Sequence, residues 1–541
     1  MNWAQSILSA PPKDAQAPRL IDAEKPERSI SWRRYVSTVK AVAVGLRNAG
    51  VGKQDCVGLL SGSDIYYYVL GDAIIAASGI FAPIAVAEKK AEVVDALQAA
   101  KVQWLFASVD LLDFANSATE EADIAVSNML VFDPPGRETY SGSHLSFSKL
   151  LQSNQERWED LNAEDDPSKM IAFRLLTSGT TGLSKAAEIS HAASIARLRN
   201  LDPKADLVQS KGGDRALHFL PLHHISGQIA CSRAIAGYQT TWIVSPEFAT
   251  DVPKIIDLVR DLKLNGAFIP PRFLSAIVDT VRSGIRSSED LSTLNGVRVG
   301  GSTIDAELYE AYNRLFPDVT FRIAYGLTET GPVSGIWSGD QLVAGSVGFP
   351  ATIVDIKVLD PETLQEVAVD VEGEICVAGG QNFSGYCGNE QATADALVKL
   401  EGKSYFRTGD KGHLSSKTEQ LAITGRYKEI FKVKSQHVSP EEIEKQLLKH
   451  PAVRDAAVSS IKARDNANDS EVVAYVVRRD EHGVAAQEIV KFVADGLSSH
   501  KAPTGGVFFC KSIPRNAMRK VVRRELDELE REQGSAAYLD P

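Results

Sequence analysis

Apolar positions in the first third of the chain follow two alternating rhythms. "YVSTVKAVAVGLRNAGV" (residues 35–51) places them at helical spacing and stops at Gly50, whereas "DCVGLL" is a short continuous apolar run of the kind a buried strand shows. The alternation continues with a helix over Tyr66–Ser78, a strand "IFAPIA", a helix "KKAEVVDALQAAK" and a strand "VQWLFAS". Helices between apolar strands predict an α/β unit with a largely parallel sheet. Residues 152–169 are polar and acidic and predict a surface connection. The pattern then resumes: "MIAFRLL", "DRALHFLPL", "QTTWIVS", "GAFIP", "GVRVGG" and "TFRIAYG" read as strands, and "AAEISHAASIARL" as a helix.

From about Val343 the strands shorten and are split by Gly, Asp and Pro ("IVDIKVLD", "EGEICVAGG", "YFRTGDKGHLS"), which predicts a small β-rich unit over about 343–425. A last unit begins near Gly425, with strands "DAAVSSI", "EVVAYVVRR" and "GVFFCKSI" and two or three helices. One helix start is well marked: Ser439 as N-cap, Pro440 in the first turn and Glu442 completing a capping box. The longest apolar run, Tyr66–Ala87, contains Asp72 and is broken by Gly79 and Pro83, so it predicts a buried helix followed by a buried strand and no membrane span.

Composition narrows the class. With 541 residues the chain has room for several domain-sized units, and 44% hydrophobic with 24% charged residues is ordinary for a globular protein. A net charge of −11 argues against general nucleic-acid binding. Five scattered cysteines without a CxxC pair argue against a disulfide framework or a structural zinc site and fit a reducing compartment. The first residues show no secretory pattern and the last no peroxisomal address, so a cytoplasmic location is expected.

The stretch "LLTSGTTGLSKAAEISH" (175–191) carries the densest candidate chemistry. Gly179 and Gly182 permit close backbone approach, and Thr177, Ser178, Thr180, Thr181 and Ser184 bring hydroxyls and N–H groups, a concavity suited to phosphate oxygens. Joining a strand to a helix start would favour an anion further. Lys185 adds a positive charge, but the order of residues is not that of a Walker A loop. The alternative is a plain surface loop. A His223–His224 metal pair is also conceivable, but no third ligand lies nearby in sequence.

Three later stretches decide between these: "AYGLTETGP" (324–332), "YFRTGD" (405–410) with "ITGRYKEIFKVKSQHVSPEEIE" (423–444), and "IPRNAMRKVVRREL" (513–526). Together with the loop they resemble the adenylate-forming superfamily of acyl-CoA synthetases, peptide-synthetase adenylation domains and beetle luciferases, with most likeness to acyl-CoA and 4-coumarate-type ligases. The resemblance implies two sheet-and-helix subdomains and a small β-barrel within an N-terminal AMP-binding domain (1–425), then a mobile α+β lid (426–541). It implies activation of a carboxylic acid by ATP and Mg²⁺ to an acyl adenylate, with release of pyrophosphate and transfer of the acyl group to coenzyme A. Other implied acceptors are a carrier-protein thiol, an amine or oxygen; a non-catalytic adenylate-binding protein is the remaining alternative. A monomer or homodimer is expected.

Residue by residue, the resemblance assigns the β- and γ-phosphates to Thr177, Ser178, Gly179, Thr180, Thr181, Gly182 and Lys185. It assigns adenine to Tyr325 and Gly326 with Gly301, Ser302 and Thr303, the α-phosphate to Thr328, and Mg²⁺ to Glu329. Ribose falls to Asp410, with Arg426 reaching ribose or phosphate. Lys520 would bridge carboxylate and α-phosphate, a role for positive charge rather than for a general base. Lys428 sits at the family's hinge, and rotation there would exchange Lys520 for Lys432, Lys434 and Ser435 on the coenzyme A side. His224 would orient the carboxylate or gate the thiol. His223, Ser226, Gly300, Ala324, Pro332 and Val333 would line the acyl pocket.

Some positions depart from the family pattern. Ser184 and Ala186 replace a usual Pro and Gly, Ala324 a frequent Gly, and His437 a frequent Gln. Ser435 and Arg519 each replace a Gly, near the pantetheine passage and before Lys520. The implied adenylation is untouched by these changes; the implied transfer to coenzyme A is the step they bear on.

Overall fold

The computed structural model describes the chain except for residues 10, 12–13, 87–88, 126–127, 178–184, 200–213, 237–238, 246–247, 301–303, 305, 337–342, 344, 428–430, 434–435, 465–469, 480–482, 516–520 and 541, and the side chains of 214, 272, 306–307, 432, 436–437 and 524. Two compact units emerge: Met1–Val371 with Ile375–Thr408 and His413–Ala422, and Ile423–Pro541 with Glu372–Glu374 and Gly409–Gly412.

The first unit is built on two large sheets. The nine-stranded sheet runs Phe349–Pro350, Gly331–Gly335, Thr320–Leu327, Gly296–Gly300, Gly266–Ile269, Asp214–His218, Gln239–Ile243, Pro18–Asp22, Ser29–Ser31. The eight-stranded sheet runs Gly385–Tyr386, Lys185–Ser190, Ile171–Thr177, Ile80–Ile84, Cys56–Leu60, Trp104–Ser108, Met129–Phe132, Leu145–Ser146. Their central pairs are parallel, as helical crossovers between apolar strands require; both edges of the nine-stranded sheet are antiparallel, whereas the eight-stranded one is antiparallel at the Gly385–Tyr386 edge and parallel at the Leu145–Ser146 edge.

The long apolar run folds as expected, into the helix Tyr67–Ala76 and the strand Ile80–Ile84, each buried at every residue. Gly71 is the point of closest approach, because a Cβ there would lie 2.6 Å from the Phe81 ring. Asp72 is buried in the same helix, where it accepts from Trp3 Nε1 at 2.8 Å and from Tyr35 Oη at 2.5 Å. Among the described residues no helix is long and apolar enough to cross a membrane.

Two local expectations are corrected. "KAAEIS" is a strand, Lys185–Ser190, paired antiparallel with Ile171–Thr177, and the helix starts only at His191. The phosphate-type loop therefore connects a hairpin and does not open onto a helix N-terminus. Ala186, Ala187 and Ile189 are buried against the neighbouring strands, and Glu188 pairs across with Arg174 at 2.9 Å, so pairing overrides the helical preference of Ala and Glu. In the second unit Ser439 is the N-cap and Pro440 opens the helix Pro440–Leu448, but no side-chain cap bond forms. The capping box is absent because Glu442 turns to Lys501 instead, with Nζ 2.6 and 2.7 Å from its two oxygens.

A five-stranded sheet follows the large ones, Val354–Leu359, Gly373–Gly379, Lys403–Leu414 and Leu397–Leu400, with Leu421–Arg426 against Lys403–Leu414. The second unit holds a four-stranded sheet, Val453–Lys462, Ser470–Arg478, Gly506–Phe509 and Ala536–Ala537, under the helices Pro440–Leu448 and Ala486–Gly496. Ile443, Leu447, Val458, Val476, Ile489 and Phe509 fill its core.

Candidate functional site

A polar cluster of the first unit lies where the hairpin after Thr320–Leu327 approaches the edge of the other sheet. Ala324 pairs with Gly300 on one side and Gly335 on the other, and Tyr325 with Ser334. The register shifts between Tyr325 and Gly326, then Gly326 pairs with Pro332 and Leu327 with Gly331. Thr328, Glu329 and Thr330 form the turn, with Leu327 N–H donating to Thr330 Oγ1 at 3.3 Å. Glycine is needed twice here. A Cβ on Gly326 would lie 2.3 Å from the Gly331 carbonyl oxygen, and Gly331 has φ +64° with Arg197 packed against it.

Glu329 is buried at 8% exposure. Its Oε1 accepts from Tyr386 Oη at 2.8 Å, and the structure records no bond to Oε2 among the described residues. Its backbone oxygen accepts from Phe383 N at 2.7 Å and from Arg197 Nη2 at 3.1 Å. Arg197 itself is fully enclosed on the helix His191–Arg199, donates through Nε to the Gln381 carbonyl at 2.8 Å, and leaves Nη1 buried without a described partner. Burial pushes its guanidinium down to about 9, with the nearby Glu329 charge acting in the opposite direction. Burial and the same carboxylate push the Tyr386 phenol up.

Lys185 pairs in register with Thr177 at the mouth of the hairpin, and its Nζ lies 5.1 Å above the centre of the Tyr386 ring. Thr177, Lys185, Tyr386 and Glu329 thus form one connected group. Ser178, Gly179, Thr180, Thr181, Gly182 and Ser184, and Gly301, Ser302 and Thr303, lie outside the described residues. A buried carboxylate oxygen and a nearby lysine are a donor set that fits a hard divalent cation and phosphate oxygens.

Among the residues expected to line the acyl pocket, Gly300 is buried at the end of its strand, and a Cβ there would lie 2.7 Å from the Ala324 carbonyl oxygen and 3.3 Å from Phe268. Val333 is fully buried, and Pro332 and Ser226 are half-buried. His224 is the N-cap of the helix Ile225–Ile235, its Nδ1 accepting from Ser226 N at 3.3 Å, which places the proton of the neutral ring on Nε2. The bend before it depends on Gly227, whose Cβ would lie 2.6 Å from the Leu222 carbonyl oxygen. Burial pushes His223 down to about 4. Among the described residues no group of three or more His, Cys, Asp or Glu could hold a metal, so the His223–His224 pair gains no third ligand there.

In the second unit Asp410 is 2% exposed and accepts from Arg426 Nε at 2.5 Å, while the preceding Gly409, at φ +73°, donates its N–H to Glu374 at 3.1 Å. Lys432 lies in the strand Phe431–Val433, in register with His437; the side chains of both are outside the described set. Lys428, Lys434, Ser435, Arg519 and Lys520 are also outside it.

The sequence profile of AMP-binding enzymes matches residues 9–387, and that of their C-terminal domain matches residues 442–520. The chain belongs to the AMP-binding enzyme family. It is 30% identical over 518 residues to the phenylacetyl-CoA ligase epaB of Aspergillus niger, covering 95% of this chain and 94% of that protein. With 4-coumarate–CoA ligase 3 of rice, Oryza sativa subsp. japonica, identity is 28% over 525 residues, covering 94% and 88%. ATP-bound MatB from Rhodopseudomonas palustris shares the fold at a TM-score of 0.83 and 23% identity, covering 98% and 99% of the two chains. This AMP-binding enzyme is, at family level, an AMP-forming acid–thiol ligase: ATP and Mg²⁺ serve acyl-adenylate formation, and coenzyme A takes the acyl group.

Three residues of the AMP-binding enzyme's cluster were not singled out in the sequence: Arg197, Gln381 and Tyr386. Tyr386 is 57 positions from Glu329 and Arg197 is 184 from Gln381, separations that no local pattern reports. The only local hint is a charged residue on an otherwise buried helix stripe, His191, Ala193, Ser194, Ile195 and Arg197.

Proposed function

We propose that this enzyme activates an aryl-substituted monocarboxylic acid as its acyl adenylate and passes the acyl group to coenzyme A. The observation that carries the adenylation half is the buried Glu329 carboxylate, with one oxygen on Tyr386, beside Lys185. In that arrangement Thr177 to Lys185 receives the β- and γ-phosphates, Thr328 the α-phosphate, and Tyr325 with Gly326 and Gly301–Thr303 the adenine. Glu329 holds Mg²⁺, which when bound neutralises charge on the departing phosphates. Asp410 accepts from the ribose hydroxyls, and Arg426, which already donates to Asp410, keeps that carboxylate oriented.

Attack by the acid's carboxylate on the α-phosphorus joins two anions, so the residues must supply positive charge and alignment. Lys520 supplies the charge for that step. Lys185 remains with the leaving phosphates. The lid 426–541 turns at Lys428, bringing Lys432, Lys434 and Ser435 to the thiol. His224 orients the acid's carboxylate or gates entry of the thiol. Support for an aryl acid comes from Phe268, 3.3 Å from a Cβ placed on Gly300, and from relatives named for phenylacetate and 4-coumarate. Location in the cytoplasm, a monomer or homodimer, and a carrier-protein thiol as a competing acceptor belong to the same proposal.

The test is pyrophosphate release from ATP over a panel of phenylacetate, 4-coumarate, short and long alkyl acids, with thioester measured with and without coenzyme A. Preference for the aryl acids and thioester only with coenzyme A are expected. A product that stays at the adenylate stage would overturn the choice of acceptor, and equal use of alkyl acids the choice of acid.

A further inference from the structure

Tyr386 is fixed independently of Glu329. Its strand Gly385–Tyr386 pairs with Lys185–Ser190, its N–H donates to Thr393 Oγ1 at 2.9 Å, and its ring packs edge-on against Phe383 at 4.9 Å, which in turn meets Phe406 at 5.2 Å. Glu329, by contrast, projects from a three-residue turn, and a glutamate has several rotamers to choose from. The phenol therefore sets the carboxylate, and the 2.8 Å bond takes Oε1 specifically. The same ring carries Lys185 Nζ on its face.

We propose that Tyr386 is a positioning residue for divalent-cation binding: by holding Oε1 it leaves Oε2 as the oxygen Glu329 presents, and through its ring it fixes Lys185 relative to that oxygen. This rests on the reading of Glu329 as the Mg²⁺ ligand. A carboxylate freed from the phenol loses its fixed orientation and turns toward the buried Arg197 or toward Lys185. Both alternatives occupy the oxygen that the cation needs. A group that orients a metal ligand in this way typically accounts for about tenfold or more in metal affinity.

The test uses the full chain, with ATP binding followed by calorimetry in the absence of any acid over graded Mg²⁺, and again with the metal chelated. Tyr386→Phe keeps the ring, its packing and the lysine above it, and removes only the hydroxyl. The Mg²⁺ concentration for half-maximal ATP binding should rise about tenfold, with ATP affinity in chelator unchanged. Glu329→Gln should raise it at least as much, and the double variant no further than Glu329→Gln alone. A Tyr386→Phe chain with an unchanged Mg²⁺ requirement beside a raised one in Glu329→Gln overturns the proposal and leaves Glu329 as ligand. Additive effects, or a loss of ATP affinity in chelator as well, make the phenol a packing residue and overturn it too. An unchanged requirement in Glu329→Gln removes the underlying reading and the proposal with it.

Discussion

Asp72 offers a sharp test of how this enzyme's core handles charge. Its carboxyl is buried between Trp3 and Tyr35, and burial pushes it up to about 6 from an ordinary 3.8, the two hydrogen bonds opposing that rise without cancelling it. A carboxyl raised on folding binds protons more tightly in the folded chain. Stability from this group is thus fully present below about pH 4 and is lost as pH rises through 6. The shift corresponds to roughly 3 kcal/mol at pH 8, and about half of that at pH 5. Asp72→Asn removes the charge and keeps the bonds: the amide oxygen accepts from Trp3, and the amide N–H donates to Tyr35, whose own hydroxyl already reaches the Tyr68 carbonyl at 3.0 Å. The variant should therefore be more stable than the parent at pH 8 by about 3 kcal/mol. In a unit of this size that is a rise of roughly 3 °C in the thermal midpoint, with a smaller gain at pH 5.

Buried His191 and His218 and half-buried His223, each pushed down to about 4, act in the opposite direction, their stability falling as pH drops from 6.5 toward 4. Parent and variant share those histidines, so the difference between their calorimetric midpoints at each pH isolates Asp72. A midpoint at pH 8 that falls in Asp72→Asn would refute the argument, since it would mean that charge-assisted bonds from Trp3 and Tyr35 outweigh desolvation. A gain equal at pH 5 and pH 8 would refute the titration part alone.

Lys520→Ala should cut acid-dependent pyrophosphate release by on the order of a hundredfold or more while ATP still binds; unchanged release would end its assigned role. Gly300→Ala must move a backbone carbonyl 2.7 Å from the new methyl, so a loss of about 1–3 kcal/mol in chemical denaturation is expected, with kcat/KM falling more for aryl acids than for acetate. A uniform fall across acids would take Gly300 out of the acyl pocket. Arg197→Met deprives the Gln381 carbonyl of its donor, about 1–3 kcal/mol, but also removes an enclosed charge that burial disfavours. The net loss in urea denaturation should stay under about 2 kcal/mol, and one above about 4 kcal/mol would show the guanidinium to be better solvated by its carbonyls than its depressed pKa implies.

The large-scale plan was legible because it rests on local periodicity. Apolar runs separated by helical patterns identified the central strands from Cys56–Leu60 to Thr320–Leu327. Where an element depends on its partner, the sequence said less. Ala186–Ile189 has the composition of a helix start and becomes a strand because Ile171–Thr177 lies beside it. Glu442 has the spacing of a capping box and is drawn off by Lys501, 59 residues away. Motifs located Glu329, Asp410 and Lys185 through family likeness, but the groups that orient two of them, Tyr386 and Arg197, stand in no motif with either.

Those orienting groups also show why the Glu329 turn is a sensitive place in the fold. The turn belongs to the nine-stranded sheet, while Phe383 and Tyr386 belong to the segment entering the edge of the eight-stranded one. Three hydrogen bonds fasten Glu329 across that seam: Phe383 N and Arg197 Nη2 to its carbonyl, and Tyr386 Oη to its side chain. A fourth and fifth run from Arg197 to the Gln381 carbonyl and from Gln381 Nε2 to the Pro332 carbonyl at 2.5 Å, so the turn is gripped on both flanks. Apolar packing alone would allow the sheets to slide by fractions of an ångström at little cost, because it has no preferred direction. Directional bonds to a buried carboxylate do not allow that. The polar seam thus converts the relative placement of two sheets into the placement of one carboxylate oxygen, which explains why a tyrosine far from Glu329 in sequence controls how that oxygen is presented.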